Sequence, residues 1–446
     1  MLSILKRKIN NLTSDKKFSE VLTGSAWALA ARVITTGLGL VLSVLVVRLY
    51  GAEMMGVLAV LQSFLGLATI FTVLGTNTSI LRLIPEHLAK YSPSSAFKLY
   101  RKTQCMVIGV SLFTGSLFFL GAHFIAGKVF SKPHLSFYFA LAAVFVVFQS
   151  LVLLNTQAVR GLKLIRVFAF MQVLPTAANL TFLVFLTVFF FARENPVYTL
   201  FASLAITGIV GWVIMEYAFK KRMHPDDSVK SVPFREILSI SLPMLMTSTM
   251  TFVIGQTGVI MLGMFRSEAE VGYYSVAVRM ATLTTFVLSA INSMAAPKFS
   301  ELFQSDKMEE LFYVAKKSSK LIFWTTVPLL MFLMVMGKSL LSFLFGSEFT
   351  VAYWAMFFLV LGQFVNSISG STGYFMNMTG SQIVFQNVMV VAAFLNVILN
   401  LLLIPDLGIY GAALAGMSSL VFWNVYLLIY IKRKYGTTIG YLPLIC

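Results

Sequence analysis

Long apolar runs alternate with short polar gaps along the whole chain. Twelve runs are long enough to cross a hydrocarbon core, which takes about 20 residues of helix. They are roughly 21–47, 56–81, 103–127, 135–158, 168–192, 196–219, 237–262, 271–296, 319–345, 351–376, 383–405 and 408–431. Each run predicts an α-helix, because a segment in lipid must satisfy its backbone donors and acceptors within itself. An even number of spans puts both termini on one side. The longest polar gap in the middle, residues 220–234 (KKRMHPDDSVKSVPF), carries Pro225, Pro233 and a cluster of charges and reads as a linker. The expected organisation is an N-terminal lobe over 1–222, a linker over 223–232 and a C-terminal lobe over 233–446, with six spans in each lobe.

The pattern repeats. Residues 51–85 read GAEMMGVLAVLQSFLGLATIFTVLGTNTSILRLIP, and residues 263–297 read GMFRSEAEVGYYSVAVRMATLTTFVLSAINSMAAP. Each has a turn with Glu, then Gly, then a run of about one membrane thickness, then Pro. Gly56 and Gly272 define an offset of 216 residues, close to half the chain, which predicts an internal repeat. Within the second copy Ser275, Arg279, Thr282, Phe286, Ser289 and Ser293 recur at steps of three and four and share one helix face. On the first run Ser25, Arg32, Thr36 and Ser43 do the same. A polar stripe on an otherwise apolar helix predicts lipid on one side and a polar cavity on the other.

Composition fixes the solvent. Hydrophobic residues make up 58% of the chain and charged residues 11%, against about 25% charged in a soluble domain. Mean hydropathy is +0.85. A net charge of +17 in a soluble protein points to nucleic acid, but here the cations lie in the gaps between apolar runs. With the N-terminus cytoplasmic, 26 Lys and Arg fall in cytoplasmic gaps and 6 outside; Arg32 and Arg279 remain within spans. That asymmetry predicts a multi-pass protein of the cytoplasmic membrane with both termini in the cytoplasm and no nucleic-acid partner. The polar, basic N-terminus leads into a long run without a small-residue cleavage site, so the first span is expected to be retained. Cys105 and Cys446 lie far apart and predict no disulfide framework.

Nothing in the sequence is enzymatic. Gly337-Lys338-Ser339 lacks the earlier glycine of a phosphate loop, and His87, His123, His134 and His224 are scattered without ligand spacing, so no metal or other cofactor is expected. The buried cations are the sharpest feature. An arginine at mid-membrane costs about 2.5–3.5 kcal/mol even on the mild insertion scale, which calls for a watery cavity or an anionic partner. Snorkelling or a bond to a backbone carbonyl is the structural alternative. Every Asp lies in a gap or tail, and Glu216 comes closest to a span interior. A cavity without acids suits an anion and does not suit organic cations. Uncharged polar groups within spans can meet sugar hydroxyls or bond neighbouring helices.

Three passages carry a resemblance: RLYGAEMMG at 48–56, LGMFRSEAEVGYYSVAVR at 262–279 and NVILNLLLIPDLGIYGAAL at 396–414. Together with twelve spans and a central linker, they resemble oligosaccharide flippases of the polysaccharide biosynthesis family, within the superfamily that holds O-antigen flippases, lipid II flippases and multidrug extruders. The resemblance implies an all-α integral membrane protein, with two six-helix bundles related by a pseudo-twofold along the membrane normal. It also implies a substrate carried on polyprenyl pyrophosphate, moved by alternating access and serving a polysaccharide assembly machinery. Related flippases place arginines on the first span and early in the eighth, where Arg32 and Arg279 stand. Many relatives carry an acid in the seventh span, where this chain has Gln256, Thr257 and Gly258. The candidate binding residues are therefore Arg32, Arg279, Arg48, Gln62, Asn77, Gln256, Asn292, Gln363 and Asn366, with membrane lipid around them. A multidrug extruder on the same fold is the nearest rival. A membrane glycosyltransferase or polymerase is disfavoured by short outer loops, and a scaffold has no use for buried arginines.

Overall fold

In the computed structural model the chain is almost entirely helical. Residues 16–223 and 233–441 are described, with side chains from residue 27 onward apart from positions 243, 247 and 293. Ser25, Ser293 and most of the linker thus lie outside the described residues. The helices are α1 (Lys16–Val73), α2 (Thr76–Lys90), α3 (Pro93–Leu120), α4 (Ser136–Gly161), α5 (Ile165–Phe189) and α6 (Asn195–Lys220), then α7 (Phe234–Phe265), α8 (Glu268–Thr282), α9 (Thr285–Gln304), α10 (Met308–Phe345), α11 (Tyr353–Ser369), α12 (Thr372–Met378), α13 (Gln382–Leu407) and α14 (Ile409–Tyr435).

Ten of these helices are long and apolar enough to cross a membrane, or eleven when the bent pair α8–α9 counts as one span. The first two expected runs both fall within α1, which joins two helices across a kink and so enters the count once. Its candidate span, Trp27–Val73, has 47 residues and measures roughly 70 Å at 1.5 Å per residue, more than twice a hydrocarbon core of ~30 Å. The helix breaks at Gly51, with φ 82 and ψ 177, a conformation only glycine enters cheaply. Ser43 and Val46 before the break line the same recess as Met55, Leu58 and Gln62 after it, so the chain doubles back at Gly51.

Three further boundaries depart from the hydropathy pattern. The second arm of α1 stops at Val73, and Leu74 (φ 50) and Gly75 (φ 76) turn the chain into α2. The run 271–296 is two helices bent by 42° at Leu283–Thr284. The polar stripe expected along that run therefore follows α8 only as far as Thr282. The run 351–376 ends its helix at Ser369, where Gly370 (φ 68) breaks it before the short α12.

The end of the bundle that carries Lys16 and Tyr435 is here the near end, and the end that carries Gly51 the far end. One apolar core joins both halves of the chain toward the far end, with Val60, Leu61 and Leu65 of α1 beside Val271, Val276 and Ala277 of α8 and Leu341 of α10. Toward the near end the core divides. Ile80, Leu99, Tyr100 and Phe219 pack in the first half, joined from the second half by Ile237 and Ile240 of α7. Phe299, Leu311, Phe375 and Leu427 pack in the second half alone.

The joint at the far end is reciprocal. A Cβ on Gly56 would overlap the carbonyl of Glu268, and one on Gly272 would overlap the carbonyl of Ala52. Positions 52 and 268, like 56 and 272, differ by 216, so the two repeated turns meet residue for residue. Backbones this close require glycine. Lys132 and His134 of the first half flank Glu268 of the second, with His134 Nε2 3.0 Å and Lys132 Nζ 3.6 Å from its carboxylate. Burial pushes the Lys132 ammonium below the usual lysine range, and Glu268 opposes that shift.

Candidate functional site

The two arginines within the apolar runs, Arg32 and Arg279, come from different halves of the chain and line one cavity. Its volume is about 320 Å³, and its walls are Arg32, Thr35, Thr36 and Gly39 of α1, Thr176 of α5, Arg279 and Thr282 of α8, and Leu283, Thr285 and Phe286 at the bend. Five threonines and two arginines face the space, and no lining side chain is acidic. On α1 the residues Arg32, Thr36, Gly39 and Ser43 follow steps of four, three and four, so one helix face supplies them. Thr282 and Thr285 flank the bend: the Thr282 hydroxyl donates to the Arg279 carbonyl within α8 at 3.1 Å, and the Thr285 hydroxyl donates across the bend to the Thr282 carbonyl at 2.7 Å.

Arg279 reaches across into the first half. Its Nη1 donates to the Gly39 carbonyl at 2.6 Å and to the Ser43 hydroxyl. The structural alternative for a buried arginine, a bond to a backbone carbonyl, is thus realised for one nitrogen, while the fork has five donors to place. Arg32 stands seven residues nearer the start of α1 than Gly39, roughly 10 Å along the axis, and is exposed to the cavity. Arg32 therefore marks the near side of the cavity and Arg279 its depth.

Beyond Arg279 lies a narrower recess of about 20 Å³, bounded by Ser43, Gln62, Asn179 of α5, Thr199 and Pro196 of α6, and apolar groups including Leu42, Val46 and Leu58. Arg279 lines both spaces. Asn179 is buried, and its Oδ1 has no hydrogen-bond partner. Pro175, one turn earlier in α5, removes a backbone donor, and the Gln172 carbonyl beside it accepts from Thr35 at 3.3 Å.

The structure scatters the other expected site residues. Gln62 lines the recess. Arg48 does not reach either space: it donates to the carbonyls of Ser342, Phe343 and Leu344 and so caps α10 from the other half of the chain. An arginine at the end of a span has its nearest acceptors in the free carbonyls of a neighbouring helix terminus. Gln256 accepts from Ser63 at 2.8 Å. Asn366 donates to Gln363 at 3.1 Å within α11. Asn292 is buried in α9 with Oδ1 unpaired, and Asn77 is half-buried in α2. Neither lines the cavity or the recess. Glu216, the acid nearest a span interior, pairs with Arg101 at 2.8 Å.

Sequence reasoning missed Thr35, Thr176, Asn179, Thr199 and Thr285. Single hydroxyls and amides on apolar helices have no distinctive spacing, and here α5 and α6 contribute to a space organised by α1 and α8.

The sequence pattern of the polysaccharide biosynthesis protein family matches residues 21–303, well over half of the chain. A probable low-salt glycan biosynthesis flippase of Haloferax volcanii, Agl15, is 24% identical over 222 residues, covering 50% of this chain and 46% of that protein. The match spans about half the length of the curated relatives. Among solved structures, the lipid II flippase MurJ in an inward closed conformation superposes with a TM-score of 0.70 at 16% identity, over 90% of this chain and 87% of that one. An inward-facing multidrug transporter of the MATE family superposes at 0.65 with 14% identity, over 92% and 94%. At these identities the two structures speak to the fold, which is that of the superfamily holding both. The family pattern over residues 21–303, carried on an all-helical multi-pass bundle of that fold, makes this chain a member of the polysaccharide biosynthesis protein family.

Proposed function

We propose that the protein is a flippase that carries a polyprenyl-pyrophosphate-linked oligosaccharide across the cytoplasmic membrane by alternating access. The observation that carries this reading is the meeting of Arg32 and Arg279, from opposite halves of the chain, in one cavity whose walls hold no acid. Two uncompensated guanidinium groups at membrane depth call for an anion, and paired donors fit phosphate oxygens. The curated relative named as a glycan flippase and the structural likeness to a lipid II flippase support the same substrate class.

In this reading the chain makes twelve spans, the two arms of α1 counting separately, arranged as lobes 1–222 and 233–446 about a pseudo-twofold. The reciprocal contact of Gly56 and Gly272 supports that relation. The 26-to-6 distribution of Lys and Arg supports cytoplasmic termini, with the near end facing the cytoplasm. The joined core at the far end and the divided core at the near end suit a conformation sealed on the outer side.

The anionic linkage enters past Arg32 and competes with Gly39 and Ser43 for Arg279. Its binding withdraws Arg279 from α1 and so weakens one contact between the lobes, which couples cargo to rocking. A multidrug extruder shares the fold, but a cationic, acid-free cavity repels the organic cations such proteins take. Arg32→Ala and Arg279→Ala should each abolish glycan-lipid transport in a complementation assay while the protein still inserts at wild-type levels. Arg→Lys should restore it in part, since an ammonium is a point charge without the fork. Full complementation by both alanine variants, or drug resistance conferred by the wild-type gene, would refute the reading.

A further inference from the structure

The recess beyond Arg279 is walled by polar groups that an anion does not need. Gln62, Asn179 and Thr199 are neutral, and Ser43 is already engaged by Arg279. Asn179 is 7% exposed and its Oδ1 is unpaired. A buried carbonyl oxygen without a donor carries a desolvation cost that a ligand hydroxyl relieves. At about 20 Å³ the space admits one water or one hydroxyl and excludes a sugar ring. Its order along the path is fixed by α1: Arg32 first, then Arg279 held at Gly39 and Ser43, then the recess reaching Val46. A head group that enters with its lipid tail trailing toward the near end therefore brings its sugar to the recess when its phosphates lie between the arginines.

We propose that this recess is a single-hydroxyl subsite that reads the sugar adjoining the anionic linkage, with the Asn179 Oδ1 as its specificity-determining acceptor. The proposal rests on the flippase reading above and adds to it a discrimination among neutral sugars. A subsite that accepts one hydroxyl bond separates epimers that differ in the direction of that hydroxyl, because the wrong epimer leaves Asn179 unpaired and brings an apolar edge to it.

The test is a ratio of affinities for the full chain in lipid nanodiscs, read from intrinsic tryptophan fluorescence. The bare probe is farnesyl diphosphate. The sugar-bearing probes carry one glucose, galactose, mannose or N-acetylglucosamine on the same diphosphate. Wild type should bind at least one sugar-bearing probe about 3–10-fold tighter than the bare probe, the worth of one hydrogen bond. Asn179→Leu should collapse that ratio toward one. Asn179→Asp keeps an acceptor, so it should keep the ratio while its charge beside Arg279 weakens both probes. A ratio that survives Asn179→Leu makes the recess a water site only and overturns the proposal. Equal wild-type binding of all five probes overturns it as well. Loss of the flippase reading looks different: the bare probe then fails to bind, or binds equally well to Arg279→Ala. Where Asn179→Leu does not elute as a folded protein, a ratio abolished in Asn179→Asp overturns the proposal on its own.

Discussion

Two crevices run between the halves of the chain, and the residues compared in them are related by the 216-residue offset of the sequence. In one, the first arm of α1 faces α8 and α9; in the other, the second arm of α1 and α2 face α7. Arg279 governs the first, and subtracting the offset of 216 places Ser63 at its counterpart in the second. Arg279 donates across to Gly39 and Ser43, and a 320 Å³ cavity opens beside it. Ser63 donates across to Gln256, at 2.8 Å, and a Cβ on Gly66 would overlap the Phe252 ring. Further along, Ser79 and Ser241 share a hydrogen bond of 2.6 Å, and a Cβ on Gly75 would overlap the Ser241 carbonyl. The two crevices thus differ: one is cationic, the other a small-residue seam. The lesson is that a repeat in the sequence need not carry the same chemistry to both places. In the proposed function a single anionic cargo needs one binding face, and the other face is free to hold the two halves together.

The largest expected effect tests that asymmetry directly. Arg279→Ala should abolish transport, whereas Ser63→Ala at the corresponding position should leave it within about threefold of wild type, since one neutral hydrogen bond between membrane helices is worth ~0.6 kcal/mol on average. Transport assays on the two variants side by side would decide it. Comparable losses would show that the two crevices do not differ in role.

A second effect concerns the one place where the halves do match. Gly56→Leu and Gly272→Leu each force a side chain into the backbone of the opposite turn, at Glu268 and Ala52. Overpacking of this kind costs about 1–3 kcal/mol, and separating the lobes at the far end relieves it. Both variants should therefore raise maleimide labelling of Val46→Cys, in a background where Cys105 and Cys446 are Ser. Val46 lines the recess and is 2% exposed. The reciprocity of the contact predicts increases of similar size. A strong response from one glycine and none from the other would break the twofold relation at this joint.

Much of this was readable before any coordinates, and the reason lies in cost. Arg32 and Arg279 are legible because a charge within an apolar run is expensive and rare, so its presence demands a cavity or a partner. Gly56 and Gly272 are legible through the repeated turn. Asn179, Thr176 and Thr199 are not, because a lone amide or hydroxyl on an apolar helix reads the same whether it faces a cavity or a neighbouring carbonyl. Gln62 and Gln256 illustrate the ambiguity: the sequence treats them alike, yet one lines the recess and the other bonds Ser63. The bend at Leu283–Thr284 was hidden too, since neither glycine nor proline marks it. The break in α1 is legible by contrast. A turn signal stands between the first two apolar runs, and the kink falls there, at Gly51.

Arg48 sets the smallest and most local of the expected effects. It stands in the passage RLYGAEMMG, one of three that carry the family resemblance. Arg32 and Arg48 lie sixteen residues apart on the same arm, so Arg48 belongs to the far end and Arg32 to the approach to the cavity. Arg48 Nε donates to the Leu344 carbonyl at 3.0 Å, and Nη2 donates to Ser342 and Phe343. These are among the last carbonyls of α10, which Gly346, at φ 111, ends; the Ser342 carbonyl also accepts from the Gly346 N–H at 3.0 Å. A cation at a helix C-terminus also meets the negative end of the dipole, worth about 0.3–1 kcal/mol where exposed. Arg48 is exposed, so solvent takes up part of what its removal leaves unpaired. Arg48→Gln keeps a donor but loses the charge and the fork, and should lower the thermal midpoint by only a few degrees, about 1 kcal/mol. Affinity for farnesyl diphosphate should stay with that of wild type, because the cap lies outside the cavity. A loss of affinity as large as that of Arg32→Ala, with an unchanged midpoint, would return Arg48 to the binding site and remove the distinction drawn between the two ends of α1.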